Sequence, residues 1–176
     1  MVKDPSLRAV SKPVQSVDKK ITLLIKDLKD TLVVQKDPEG IGLAAPQIGK
    51  NLRLFIMTEG KKLKTIINPE ILSFSSIKAE KKEVKSKTKK SMEKKIMEGC
   101  LSLPHYYGPL ERTKLIKLKY LDEKGKERIE TFEGLPAQIV QHEIDHLNGI
   151  LFIDRLLEQK AQLFEFKGGE WEEVEI

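Results

Sequence analysis

The sequence predicts an α+β fold from three observations. A helical repeat of apolar residues lies near the start, a strict two-residue alternation begins at Ile116, and a second helical repeat follows Leu135. Val17, Ile21, Leu24, Ile25, Leu28 and Leu32 recur every three or four residues, with Ser16 placed to cap the first turn. That spacing predicts an amphipathic helix of about five turns. It stops at KDPEG, where Pro38 and Gly40 break the pattern. Residues 40 to 49 then hold three glycines and two alanines, which leaves the backbone bare.

Leu52 to Met57 and Thr65 to Leu72 read as strands joined through the turn EGKK. Ile116, Leu118 and Tyr120 alternate with Lys117 and Lys119, and the turn DEKGK leads into RIETF. This is the pattern of an antiparallel hairpin with one wet face. A helix is expected from Leu135 to about Leu147, opened by Pro136 and closed by Asn148 and Gly149. A last helix is expected from Asp154 to about Phe166, with Leu156, Leu157, Leu163 and Phe164 as its apolar contacts.

The chain has 176 residues, 39% of them apolar, and is read as a single domain over residues 1–176. No run approaches the roughly 18 apolar residues of a membrane span, and a lone cysteine, Cys100, forms no internal disulfide. Disordered, disulfide-scaffold and integral membrane classes are therefore excluded. The start MVKDPSLRAV has neither a secretory apolar core nor transit-peptide character, so a cytoplasmic location is expected. The net charge of +5 is concentrated: residues 78–95 hold nine lysines and three glutamates, and the rest of the chain sums to −1. That segment is read as a lysine-rich loop insertion with a solvated character. No DNA partner and no membrane are expected.

The sharpest chemical signal is His142-Glu143-Ile144-Asp145-His146, the pattern H-E-x-x-H on an expected helix. Residues four apart share a helix face, so both imidazoles reach one ion about 2 Å from each nitrogen. Glu143 then lies beside the ion without binding it, where a general base for an attacking water is needed. A third ligand is required, and two candidates stand: Glu165 on the last helix, or Cys100, which follows Gly99 and precedes the extended run LSLP.

GIGLAAPQ at 40–47, EGCLSLP at 98–104 and QHEIDH at 141–146 resemble, in order, the three motifs of the peptide deformylase family. The similarity extends through DPSLR and KPV near the start and HLNGILFIDRL after the helix. It implies antiparallel sheets around a central helix carrying H-E-x-x-H, with further helices toward each end. By motif position it implies that Cys100, His142 and His146 bind one divalent metal, that Glu143 is base and then acid, and that Gln47 and the backbone N–H of Leu101 form the oxyanion hole. It further implies Fe(II) in the working enzyme, with zinc, nickel or cobalt as substitutes. The implied reaction is release of formate from N-formylmethionyl nascent peptides, with transient ribosome contact.

A formamide is an unactivated acyl group, so its hydrolysis calls for a strong nucleophile and for donors aimed at the developing oxyanion. Gly40 and Gly42 would admit a peptide strand close to the backbone. Leu135 and Ile139, seven and three residues before His142, would line an apolar pocket with Ile41 as a third wall, and Gly99 and Glu98 would lie on the substrate side. Gln138 would make the pocket rim polar, and Arg112 would pair with Glu39 behind the site. His105 is expected to be exposed. Competing readings are a zinc endopeptidase using Glu165, a thiol enzyme using Cys100 as nucleophile, and an inactive ribosome-associated protein.

Overall fold

The computed structural model describes residues 5–75 and 97–175. The lysine-rich segment 78–95 lies outside the described residues. After a short 3-10 turn at Pro5–Arg8 comes helix α1 (Lys19–Val34), whose Ile21, Leu24, Ile25, Leu28 and Leu32 are buried. Its cap is Asp18 rather than Ser16: the Asp18 carboxylate accepts the Ile21 N–H at 2.9 Å, the third residue of the helix.

Among the described residues, nine strands form two antiparallel sheets. The five-stranded sheet runs in the order β1 (Gly42–Ala44), β2 (Leu54–Glu59), β3 (Lys62–Ser75), β6 (Leu115–Leu121), β7 (Glu127–Glu133). The four-stranded sheet runs β4 (Met97–Cys100), β5 (Leu103–Pro109), β8 (Leu163–Lys167), β9 (Glu170–Val174). Leu54, Phe55, Ile56 and Met57 are all buried because β2 is covered on both faces, which explains its continuous apolar run. Phe55 and Met57 join Ile116, Leu118 and Phe132 against one helix, whereas Leu54, Ile56 and Ile67 pack with α1 on the other side.

That first helix is α2 (Leu135–Leu147), with Pro136 in its first turn and Gly134 at φ +65° before it. Ten of its residues are buried, from Ala137 to Leu147 with Gln141 excepted, because it meets the large sheet on one side and β4 and its neighbours on the other. A helix so enclosed can hold polar side chains only where partners await them. No described helix is long and apolar enough to cross a membrane.

The C-terminal region departs from expectation. Helix α3 covers Phe152–Gln159 and ends at Lys160, which adopts φ +50°. Leu163 to Phe166 then form β8 rather than continuing the helix, and Gly168-Gly169, at φ +62° and +89°, turn the chain into β9. A glycine pair with positive φ is the signature of a tight hairpin. The seven-residue interval from Leu156-Leu157 to Leu163-Phe164 imitates helical periodicity, but the glycine pair marks the hairpin.

Candidate active site

Helix α2 projects two imidazoles one turn apart, with ring centroids 4.8 Å apart and planes at 80°. Strand β4 ends on Cys100, which packs among Leu110, Phe152, Leu156 and Leu163, so its sulfur is fixed facing the helix. Among the described residues, Cys100, His142 and His146 each offer a ligand atom, and those atoms all lie within 4.8 Å of one another. The Sγ of Cys100 is 3.2 Å from Nε2 of His146. A tetrahedral ion bound about 2.3 Å from sulfur and about 2.0 Å from nitrogen would separate such donors by roughly 3.5 Å.

The donor set fits a metal on two further counts. His142 engages Glu98 Oε1 through Nδ1 at 2.8 Å, which leaves Nε2 for a ligand. Burial opposes ionisation of the Cys100 thiol, but hydrogen bonding from His142 and the nearby His146 outweigh it and hold the thiol well below its ordinary range. A thiolate is the form that coordinates metals.

Both carboxylate oxygens of Glu98 are engaged by neighbouring side chains. Besides His142 it accepts from Arg112 at 3.0 and 2.6 Å and from Gln138 at 3.1 Å. Glu98 borders the cavity as expected, but a carboxylate buried to 5% exposure needs partners on each oxygen, and it finds them in the histidine, the arginine and the glutamine. Gln138 is likewise buried; it lines the cavity as expected and at the same time donates to Glu98. Arg112 pairs with Glu98 and Asp145, not with Glu39, and Arg155 also grips Asp145, at 3.0 and 2.6 Å. Burial raises the cost of the Glu98 charge, yet His142 and Arg112 hold its carboxyl well below the usual range.

Glu143 sits next to the cradle with Oε2 buried and unpartnered. Burial pushes its carboxyl up to about 7, against the pull of His142 and His146. A base needs such a free oxygen and a pKa near the working pH. Position 42 must be bare to make room: a Cβ on Gly42 would collide with the Glu143 carboxylate and touch Ile139 at 3.0 Å.

Gln47 lies in a 3-10 turn, Ala45–Ile48, after β1. Its Oε1 accepts the Ala44 N–H at 2.8 Å, which fixes the amide so that Nε2 points at Ser102 Oγ, 3.1 Å away, and at the Cys100 sulfur, 3.7 Å away. Ser102 escaped the sequence reading, although its place two residues after the cysteine was a signal for it.

A cavity of about 170 Å³ opens beside these groups, lined by Ile41, Gly42, Gln47, Gly99, Cys100, Leu101, Leu135, Ile139, His142 and Glu143 among others. Ile139 is buried in its wall, while Ile41 and Leu135 are exposed at its mouth. Gly40 lies apart from it, since a Cβ there would meet Leu32 at 2.6 Å on α1. Glu39 and His105 face the opening. Glu165 pairs with Tyr106 across the small sheet and takes no part in the cluster.

The sequence profile described as "Polypeptide deformylase" matches residues 1–162. A peptide deformylase of Pseudothermotoga lettingae is 45% identical over 151 residues, spanning 86% of this chain and 77% of that protein. One from Clostridium acetobutylicum is 39% identical over 158 residues, covering 90% and 93%. Among solved structures, the Synechococcus elongatus enzyme in complex with actinonin superposes with a TM-score of 0.73 at 34% identity, over 88% of this chain and 75% of that one. The Thermotoga maritima peptide deformylase gives 0.68 at 38% identity, over 86% and 91%. With the profile spanning most of its length and relatives at this level of identity, the chain belongs to the polypeptide deformylase family.

Proposed function

We propose that this protein is a metal-dependent hydrolase that removes the formyl group from N-formylmethionyl nascent peptides, with Cys100, His142 and His146 holding one cation. The observation that carries the reading is the convergence of these three donors beside a buried carboxylate with one free oxygen. When bound, a divalent cation there supplies Lewis-acid activation of water at neutral pH. Glu143 removes a proton from that water as it adds to the formyl carbon. As the C–N bond breaks, Glu143 returns the proton to the departing nitrogen, so the products are formate and a free amine. The Nε2 of Gln47 and the N–H of Leu101 are the donors for the formyl oxygen as it gains negative charge.

The methionine side chain suits the apolar wall of Leu135, Ile139 and Ile41, and Gly42 and Gly99 admit its backbone. The ion is proposed to be Fe(II) in the working enzyme, with zinc, nickel or cobalt able to replace it in a Cys-His-His site. The test is formate release from formyl-Met-Ala-Ser by anaerobically purified protein. Glu143→Gln should lower kcat by about 10²-fold or more while retaining metal, and chelation should abolish turnover. Unchanged turnover after complete metal removal would refute the reading and favour Cys100 as a nucleophile.

The nine lysines of residues 78–95 are proposed to bring the enzyme to the ribosome through phosphate contacts. Deleting that segment should reduce ribosome co-sedimentation at low salt, and an unchanged pellet would remove the proposal.

A further inference from the structure

No side chain of helix α3 lines the active-site cavity or belongs to the donor cluster, yet one of them is joined to that cluster by an unbroken row of hydrogen bonds. Arg155 on α3 holds both oxygens of Asp145, with Nε 3.0 Å from Oδ2 and Nη2 2.6 Å from Oδ1. Asp145 Oδ2 also accepts from Nη1 of Arg112 at 2.6 Å. Arg112 donates to both oxygens of Glu98, and Glu98 Oε1 meets Nδ1 of His142 at 2.8 Å. Charges alternate along this row, so each carboxylate is held between opposite neighbours.

Arg155 is the open end of an otherwise enclosed row: its side chain is 31% exposed, and its remaining pair, with Glu158 at 2.8 Å, lies in water. It borders a second cavity of about 290 Å³ together with Arg112, Asp145 and Asn148. The two cavities share no lining residue and meet different faces of α2. Within the row, Arg155 is the only described donor to Asp145 Oδ1 and one of two to Oδ2. A planar fork fixes the rotation of a carboxylate, which a single bond from Arg112 does not. With Arg155 gone, Oδ1 is buried without a donor, and Asp145 can recover one only by turning, which pulls on Arg112 and so on Glu98.

We infer that Arg155 is a positioning residue for the metal site, acting through Asp145, Arg112 and Glu98 on the ring of His142. The inference rests on the metal site of the deformylase reading and extends it to α3, a helix that supplies no ligand.

The test measures Co(II) binding to the anaerobically purified chain in competition with a chelator. Wild type should take up one Co(II). Arg155→Met should weaken binding by about threefold to tenfold, less than the 10–100-fold expected for the direct partner of a ligating histidine. Deleting a positive charge by itself strengthens the hold on a cation, so weakening reports lost orientation. Since the effect passes through Glu98, it should vanish when Arg155→Met is added to Glu98→Gln. Arg155→Lys keeps the charge but cannot hold both oxygens, so it should weaken binding as well, and it carries the same comparison where Arg155→Met does not fold. Equal weakening with and without Glu98→Gln, or binding that is unchanged or tighter, overturns the positioning role. The deformylase reading then stands if wild type binds Co(II) and releases formate from formyl-Met-Ala-Ser. Wild type that takes up no Co(II) overturns both.

Discussion

Two clusters of like composition sit in this molecule, and only one of them backs the active site. Behind His142, Glu98, Arg112 and Asp145 form a chain of ion pairs whose side chains are 5%, 10% and 8% exposed. On the large sheet, Lys64 joins Glu59 and Glu130, whose side chains are 49% and 36% exposed, and Tyr120 donates to Glu130 at 2.7 Å. Both pair carboxylates with a cation, but water screens the second and is shut out of the first. Enclosed charges are costly to strand and hold their neighbours in one geometry, whereas wetted ones contribute little net stability. The difference teaches that the buried chain serves to orient a histidine.

Breaking the buried chain should have the largest effect. Arg112→Met strands Glu98 without its cation, while Asp145 keeps Arg155, and the expected loss is about 3–5 kcal/mol of stability, read from urea melts. A loss below about 1 kcal/mol would erase the contrast between the clusters. Glu98→Gln sharpens the comparison by keeping shape while removing charge. His142 then loses the anion that fixes its tautomer, so metal affinity should drop by about 10–100-fold in competition with a chelator.

The smallest effect belongs to the wetted cluster and depends on pH. Burial raises the Glu130 carboxyl, but hydrogen bonds from Lys64 and Tyr120 overcome this and lower it from its ordinary value. A depressed carboxylate adds stability that is complete above the ordinary range, about pH 4.3, and disappears as pH falls through the folded value. Tyr120→Phe removes one of the two donors. The gap between wild-type and variant melting temperatures should therefore be wider at pH 7 than at pH 3, with no more than about 1 kcal/mol at stake.

What was legible in the sequence follows the range of the interactions. Helices α1 and α2 and the β6–β7 hairpin announce themselves because periodicities of 3.6 and 2 are local. The donors Cys100, His142 and His146 and the cavity residues Leu135 and Ile139 were legible through motif and helix spacing. The partners of Arg112 were not: Glu98 and Asp145 lie 14 and 33 residues away, and nothing local distinguishes them from Glu39. The hydrogen bond between Glu98 and His142 was hidden for the same reason, since 44 residues separate the two. The C-terminal hairpin was obscured because its leucines and phenylalanine continue the heptad-like spacing of α3 until Gly168-Gly169.

The missing methyl group at Gly42 binds the histories of two distant stretches of chain together. Strand β1 and helix α2 can approach as they do only while that position stays empty, because its space is taken by the carboxylate of Glu143. Any enlargement there displaces the Glu143 carboxylate and takes up room in the cavity in a single stroke. Substitutions in one stretch are thus judged by the other, and the two are expected to change in step or remain fixed.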